Sequence, residues 1–393
     1  MKIAAAAPFL GSPSRSRGAS AAAPSAESER LDVLPPLENP DQAVGKLAVG
    51  FGYVEFPQIS PDGKKLVFNV VGDYKTSQML IMDADGGKAR SLLDRRVVTP
   101  ETVKQFLSDY QDQIQEQGTF TEDGRSLYFR TNERGTFGIG RYDLRSGGTE
   151  LVLHDPRINM KHPVELDDHR IACYGGPPSE KYPTVDQYTD LFIADVRTGE
   201  RQMLTHSNGQ LAYKHPSLMH GQLLAHVEPA GAQANGTEPM SDILLIDPAS
   251  GEQSNLTRTP EADERHPFYN EAMDLLVYHR KADGEKNLVL STPDGSRSLA
   301  LTRYGKPAQS PCWSPDGTRI YFVKKRERQP DGEPFFNRQA DIRVLDVPRA
   351  LKDLTRQAKH RLKVLEKQDA SESLLERARQ EYEDCKFFRN LYR

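Results

Sequence analysis

A segment near the start of the chain, Phe56-Pro57-Gln58-Ile59-Ser60-Pro61-Asp62-Gly63-Lys64-Lys65-Leu66-Val67-Phe68, returns near its end as Ser310-Pro311-Cys312-Trp313-Ser314-Pro315-Asp316-Gly317-Thr318-Arg319-Ile320-Tyr321-Phe322. Each copy reads as a strand, a Ser-Pro-Asp-Gly turn and a second strand. Proline presets φ for the turn, Asp bonds its own backbone, and Gly takes the position with φ > 0. Repetition on this scale constrains a fold more than local propensity does. One such unit buries its apolar face only by stacking on its neighbours.

Weaker copies fill the interval. Thr119 to Phe129 keeps the Asp-Gly turn, whereas His162-Pro163 to Tyr174, His215-Pro216 to His226 and His266-Pro267 to Tyr278 keep the entry and lose the turn glycine. Anchored on Pro57, Gly118, Pro163, Pro216, Pro267 and Pro311, the units follow at steps of 61, 45, 53, 51 and 44 residues. After the long first step these match about one propeller blade each. The second half of the unit also recurs, as an alternating strand, an Asp-containing turn and a short strand often ending in Leu-Thr: Asp190–Asp195 with Leu204-Thr205, Asp242–Asp247 with Leu256-Thr257, and Leu288–Leu290 with Leu301-Thr302. The expected fold is all-β, a six-bladed β-propeller of four-stranded antiparallel blades.

The Pro-x-aromatic-Ser-Pro-Asp-Gly-x-x-Ile-x-Phe unit resembles the repeat of the TolB-like (WD40-like) six-bladed propellers, which also occurs in the propeller domains of prolyl-oligopeptidase-like peptidases. The resemblance covers residues 45–347 and implies the fold. It leaves function open, because unrelated activities share the scaffold.

Composition narrows the class. With 37% hydrophobic residues and a mean hydropathy of −0.66, the chain has no apolar run of the roughly 18 residues a membrane span needs. A net charge of −4 leaves no global basic footprint for nucleic acid. Three cysteines, Cys173, Cys312 and Cys385, do not make a disulfide framework, and two of them sit within strands as small buried hydrophobes.

Residues 1–44 read as a disordered Ala/Ser/Pro-rich tail. Met1 to Leu10 is too short an apolar stretch for a signal peptide, and Arg15 and Arg17 stand where a cleavage region is uncharged. These features favour the cytoplasm, whereas the family resemblance implies the periplasm. Residues 45–347 form the propeller. Its last unit supplies three strands, so residues 46–54 are expected to add the fourth and close the ring, which otherwise leaves an open sheet edge. Thr99-Pro100-Glu101 starts an inserted helix over 99–116 with a stripe of Val103, Phe106, Leu107, Tyr110 and Ile114. Residues 348–393 form a C-terminal helical extension, whose second helix is capped at Ser371 or Ser373. Its stripe packs either on the propeller or on a partner.

Long connections, 94–117, 175–189, 228–241 and 324–340, all fall on the face opposite the Asp-Gly turns. Long loops on a rigid scaffold usually carry binding. The expected function is therefore a non-enzymatic interaction module or scaffold, with a protein partner engaged through Tyr182, Tyr188, Phe335 and Phe336, and with Phe388 and Tyr392 of the C-terminal helix serving assembly. A competing reading uses three blade entries, Lys161-His162-Pro163, Lys214-His215-Pro216 and Arg265-His266-Pro267. If these ring the channel mouth, His162, His215 and His266 could ligate a metal, or could join Lys161, Lys214 and Arg265 to hold a small anion for a lyase or hydrolase reaction. No nucleophile elbow, phosphate loop or His-Glu-x-x-His motif is present, and the sequence calls for no cofactor.

Overall fold

Short apolar runs of alternating burial, punctuated by Asp-Gly turns, form six antiparallel sheets in a ring. The computed structural model describes residues 34–73, 75–179, 188–230, 240–282, 284–303, 307–326 and 339–393. The chain enters through β1 (Val44–Ala48) and then builds blade 1 from β2 (Tyr53–Ile59), β3 (Lys65–Val71), β4 (Ser77–Asp83) and β5 (Ala89–Ser91), with β6 (Val97–Val98) as a short fifth strand. Blade 2 comprises β7 (Gln115–Phe120) to β10 (Thr149–Leu153), and blade 3 β11 (Asn159–Glu165) to β14 (Arg201–Met203). Blade 4 runs from β15 (Leu211–Met219) to β18 (Gln253–Asn255), and blade 5 from β19 (Asp263–Asn270) to β22 (Ser298–Ala300). Blade 6 takes β23 (Ala308–Trp313), β24 (Arg319–Lys325) and β25 (Ala340–Asp346), and β1 completes it. The pairing runs Val44 to Leu345 and Ala48 to Ile342, so the closure strand is 44–48. Residues 53 and 54, expected within it, instead open blade 1.

The turn chemistry explains why the best copies are so alike. In the first copy Ser60 Oγ lies 2.6 Å from Asp62 Oδ1, that carboxylate accepts from Lys64 N, and Gly63 sits at φ +72°. Thr121, Asp123 and Gly124 repeat the arrangement in blade 2, as do Ser314, Asp316 and Gly317 in blade 6. The Leu-Thr signature is also a backbone device. Thr205, Thr257 and Thr302 accept from the N–H groups of Leu191, Ile243 and Leu288, tying each outer strand to its neighbour.

Every innermost strand carries a bulge just before its anchor residue. Phe56, Gln117, His162, His215, His266 and Ser310 have φ between 49° and 58°, and the register of each β-pair shifts at that point. A left-handed non-glycine residue is uncommon and mildly strained. Six in equivalent positions mark a constraint of the architecture. The proline that follows in five blades has no N–H to leave unpaired where the ladder breaks.

The inserted helix is shorter than the stripe suggested. Residues 99–102 form a turn in which Thr99 O accepts from Thr102 N and Val103 N, and α1 spans only Val103–Asp109. Ile114 lies beyond it, in a bridge with Ser77. At the other end, Asp346 caps α2 (Val347–Lys367) and Ser371 caps α3 (Glu372–Asn390). Leu351, Leu354, Ala358, Cys385 and Phe388 share one core with Leu275, Leu288, Leu299 and Trp313 of blades 5 and 6. Tyr382, Cys385, Phe388 and Tyr392 of the stripe are therefore packed on the propeller itself, while Leu374 and Ala378 pack on Leu365 of α2. Tyr392 Oη adds a hydrogen bond to Gly317 O at 2.9 Å.

Candidate functional site

Five of the six bulge residues, Phe56, His162, His215, His266 and Ser310, floor a cavity of about 640 Å³. Its walls carry Phe56, Phe120, Leu166, Leu218 and Phe268, and its rim carries Glu122, Glu165, His220 and Glu271 from the turns between first and second strands. The cavity thus opens on the face of the short turns. This corrects the expected location, because the histidines sit midway along the channel and not at the mouth beneath the long loops.

His162, His215 and His266 lie on adjacent blades, half-buried at the cavity floor. His162 Nδ1 is 3.2 Å from His215 Nδ1, and the rings of His215 and His266 stack with centroids 3.8 Å apart. Phe56 stacks on both of the latter, at 5.7 and 5.9 Å. Behind them are two imidazoles that sequence reasoning passed over, His226 and His279 on the second strands of blades 4 and 5, only 1% and 2% exposed. His279 Nδ1 accepts from the bulge N–H of Ser310, as Asn69 Oδ1 does from Gln117. They resemble ordinary strand residues in sequence. A signal was available in their place opposite the bulged His-Pro entries, one unit apart.

Burial disfavours the charged form of all five rings, with neighbouring cations adding to it. His162 is pushed down to about 3, by burial and then by Arg130. His215, His226, His266 and His279 are likewise held well below the ordinary imidazole value. The floor is therefore neutral at physiological pH, and it can both donate and accept hydrogen bonds.

The basic residues that precede the histidines do not reach the cavity. On the far side of the bulge, Lys214 pairs with Glu228, Arg265 with Asp263 at 2.7 Å and with Glu228 at 2.9 Å. Lys161 is buried with its ammonium 5.3 Å from the Phe137 ring. The expected anion site thus lacks its charges. The chelate also lacks convergence among the described residues, since His162 Nδ1 and His215 Nδ1 approach each other but no third ligand atom joins them within 4.8 Å. Among the described residues, three possible ligand atoms come within 4.8 Å of one another at Asp167, Asp168 and His169, on a rim turn. There Asp167 accepts from the N–H groups of His169 and Arg170, as turn aspartates do.

Of the expected partner residues, Tyr182, Phe335 and Phe336 lie outside the described residues, as does most of the loops 175–189, 228–241 and 324–340. Tyr188 is half-buried at the entry to β13 (Asp190–Asp195), its ring beside Gly209 of the next blade. Phe388 is 0% exposed and Tyr392 is half-buried, both in the core that holds α3 to the ring. Their surface is covered by the chain itself, which withdraws Phe388 from any partner contact. The three cysteines are fully buried, and burial pushes the Cys385 thiol up to about 11. None has the lowered pKa of a reactive thiol.

The fold is a six-bladed β-propeller. Solved structures similar to it include a putative TolB from Agrobacterium tumefaciens, 16% identical with a TM-score of 0.48, covering 75% of this chain and 91% of that one. The oligogalacturonate lyase of Vibrio parahaemolyticus is 12% identical with a TM-score of 0.46, over 77% and 90% of the two chains. Hydrazine synthase of Kuenenia stuttgartiensis is 12% identical with a TM-score of 0.50, over 72% of this chain and 47% of that one. No family model matches this chain. Likeness at this level speaks to fold, so function is argued from the cavity. No helix among the described residues is long and apolar enough to cross a membrane.

Proposed function

We propose that this propeller is a non-enzymatic binding module that takes a segment of a protein partner into its axial cavity, on the face of the Asp-Gly turns. The observation carrying this reading is the cavity's lining. Its walls are aromatic and aliphatic, its imidazole floor is neutral, and its formally charged groups are three carboxylates, Glu122, Glu165 and Glu271. About 640 Å³ lies in the range of ligand pockets. An apolar side chain next to a lysine or arginine matches both the wall and the rim. Glu165 adds a specific reason for a cation: burial raises its pKa, and an incoming ammonium or guanidinium offsets that desolvation. The expected partner-binding function is kept, and the face is changed.

A peptide array presented to the full chain tests this. Bound sequences should be enriched in a basic residue flanked by large apolar ones. Binding should fall at least tenfold in Glu122→Gln/Glu165→Gln/Glu271→Gln and in Ser217→Trp, which enlarges a residue of the cavity lining and fills the cavity. Enrichment of acidic sequences, or binding indifferent to both variants, overturns the proposal.

A further inference from the structure

The C-terminal hairpin carries a second concavity, of about 590 Å³, between α2, α3 and the segment that leads into the closure strand. One wall is the outer face of α2, where Arg349, Lys352, Arg356 and Lys359 follow at helical spacing. The facing wall is the end of α3, with Lys386 and Arg389, and Arg393 just past it. Asp353 is the single carboxylate among the lining residues. Arg356 bonds Asp353 and Lys386 bonds Glu383. Arg349, Lys352, Lys359, Arg389 and Arg393 have no carboxylate partner among the described residues.

This is an unusual concentration in a chain of net charge −4. Like charges on one helix face repel at three- and four-residue spacing, and the antiparallel hairpin brings a second basic face against the first. Nothing in the core requires it, because the apolar residues of each helix pack on the propeller and on the other helix. A multiply charged anion relieves the repulsion and gains charge-assisted hydrogen bonds from several guanidinium groups at once.

We propose that this cleft binds a compact polyphosphate-bearing ligand with at least three negative charges. Three walls favour a compact anion over an extended backbone: α2, α3, and Pro40, Gln42 and Ala43. Tyr382 supplies an aromatic side, while Gln42 and Asn390 supply amide donors. The third wall gives binding a structural consequence. Residues 40–43 run directly into β1, whose pairing with β25 closes the ring, so the anion clasps the closure strand to the hairpin.

The test is calorimetric titration of the full chain with sodium triphosphate, alongside thermal melts. Wild type should bind triphosphate at least tenfold more tightly than orthophosphate, more weakly at 200 than at 50 mM salt, and should melt higher with it. Lys352→Gln/Arg356→Gln/Arg389→Gln should lose at least tenfold in affinity and the ligand-induced shift, while melting no lower than wild type without ligand. Glu165→Gln, in the axial cavity, should bind triphosphate normally. Vesicles of phosphatidylcholine with or without phosphatidylinositol bisphosphate identify the source: preference for the phosphorylated lipid assigns a headgroup, and free triphosphate alone assigns a soluble anion. Binding of neither probe, equal binding by the triple variant, or tighter binding of a polyglutamate peptide than of triphosphate overturns the proposal.

Discussion

The buried histidines make the ring sensitive to acid, and the effect is large enough to measure one residue at a time. In the fold His226 and His279 are neutral, held below the ordinary value first by burial, with Arg265, Lys214 and Lys286 among the cations that add to it. In the unfolded chain each takes up a proton near pH 6.5. Below that pH the unfolded state binds more protons, so stability falls as pH falls, by about 1.4 kcal/mol per histidine per pH unit. Between pH 7.5 and 5.5 each fully buried imidazole removes about 1.4 kcal/mol, and the two together about 3 kcal/mol. That is a substantial part of the roughly 5–15 kcal/mol that holds a domain together. Both ring nitrogens of His226 lack a hydrogen-bond partner among the described residues, so His226→Phe removes a proton site without orphaning a partner. Urea melts at pH 7.5, 6.5 and 5.5, followed by the fluorescence of Trp313, which is 3% exposed and the one tryptophan of the chain, give the slope directly. The variant should lose about 1.4 kcal/mol less than wild type over that interval, whatever its absolute stability at pH 7.5. An unchanged slope would refute the claim that His226 stays neutral in the fold.

Other outcomes follow from single contacts. Phe388→Ala should destabilise by about 3–5 kcal/mol in denaturant melts, because it empties a fully buried site between α3 and the ring; a stable variant with lost partner capture would restore the surface reading. Deleting residues 1–48 removes the strand that pairs with β25, whereas deleting residues 1–33 keeps it. The first truncation should melt well below the second, and equal melting temperatures would contradict closure by β1. Two glycines at the same turn position should respond differently. A Cβ on Gly317 meets Met273 Cγ at 2.2 Å, whereas one on Gly63 finds Pro315 Cδ at 3.6 Å. Gly317→Ala should therefore lower the melting temperature more than Gly63→Ala, which carries the positive-φ penalty alone.

The ring was legible because its signals are local. Ser60-Pro61-Asp62-Gly63 and its copies satisfy their own hydrogen bonds within a few residues, so the motif survives wherever the backbone must turn. The anchors Pro57, Pro163, Pro216, Pro267 and Pro311 mark the end of a bulge, a backbone event that proline itself records. The inserted helix was overread because the stripe from Val103 to Ile114 matches a helical period, while Ile114 is taken by a bridge to Ser77. The axial site was only half legible. His162, His215 and His266 stand out beside proline, yet His226 and His279 reach the same cluster from other strands.

The sequence alone determined the repeat, its number and the turn geometry, since these depend on residues a few positions apart. It also set the basic spacing on α2, which is periodic along one helix. Tertiary structure decided which way each group faces and what it meets. Consecutive residues on a strand point to opposite sides, and the bulge places each imidazole in the cavity while Lys214 and Arg265 join buried ion pairs beyond it and Lys161 lies against the Phe137 ring. It likewise decided that Phe388 is core, and that the basic face of α2 stands opposite that of α3. Those outcomes depend on what ring closure and helix docking bring together across hundreds of residues.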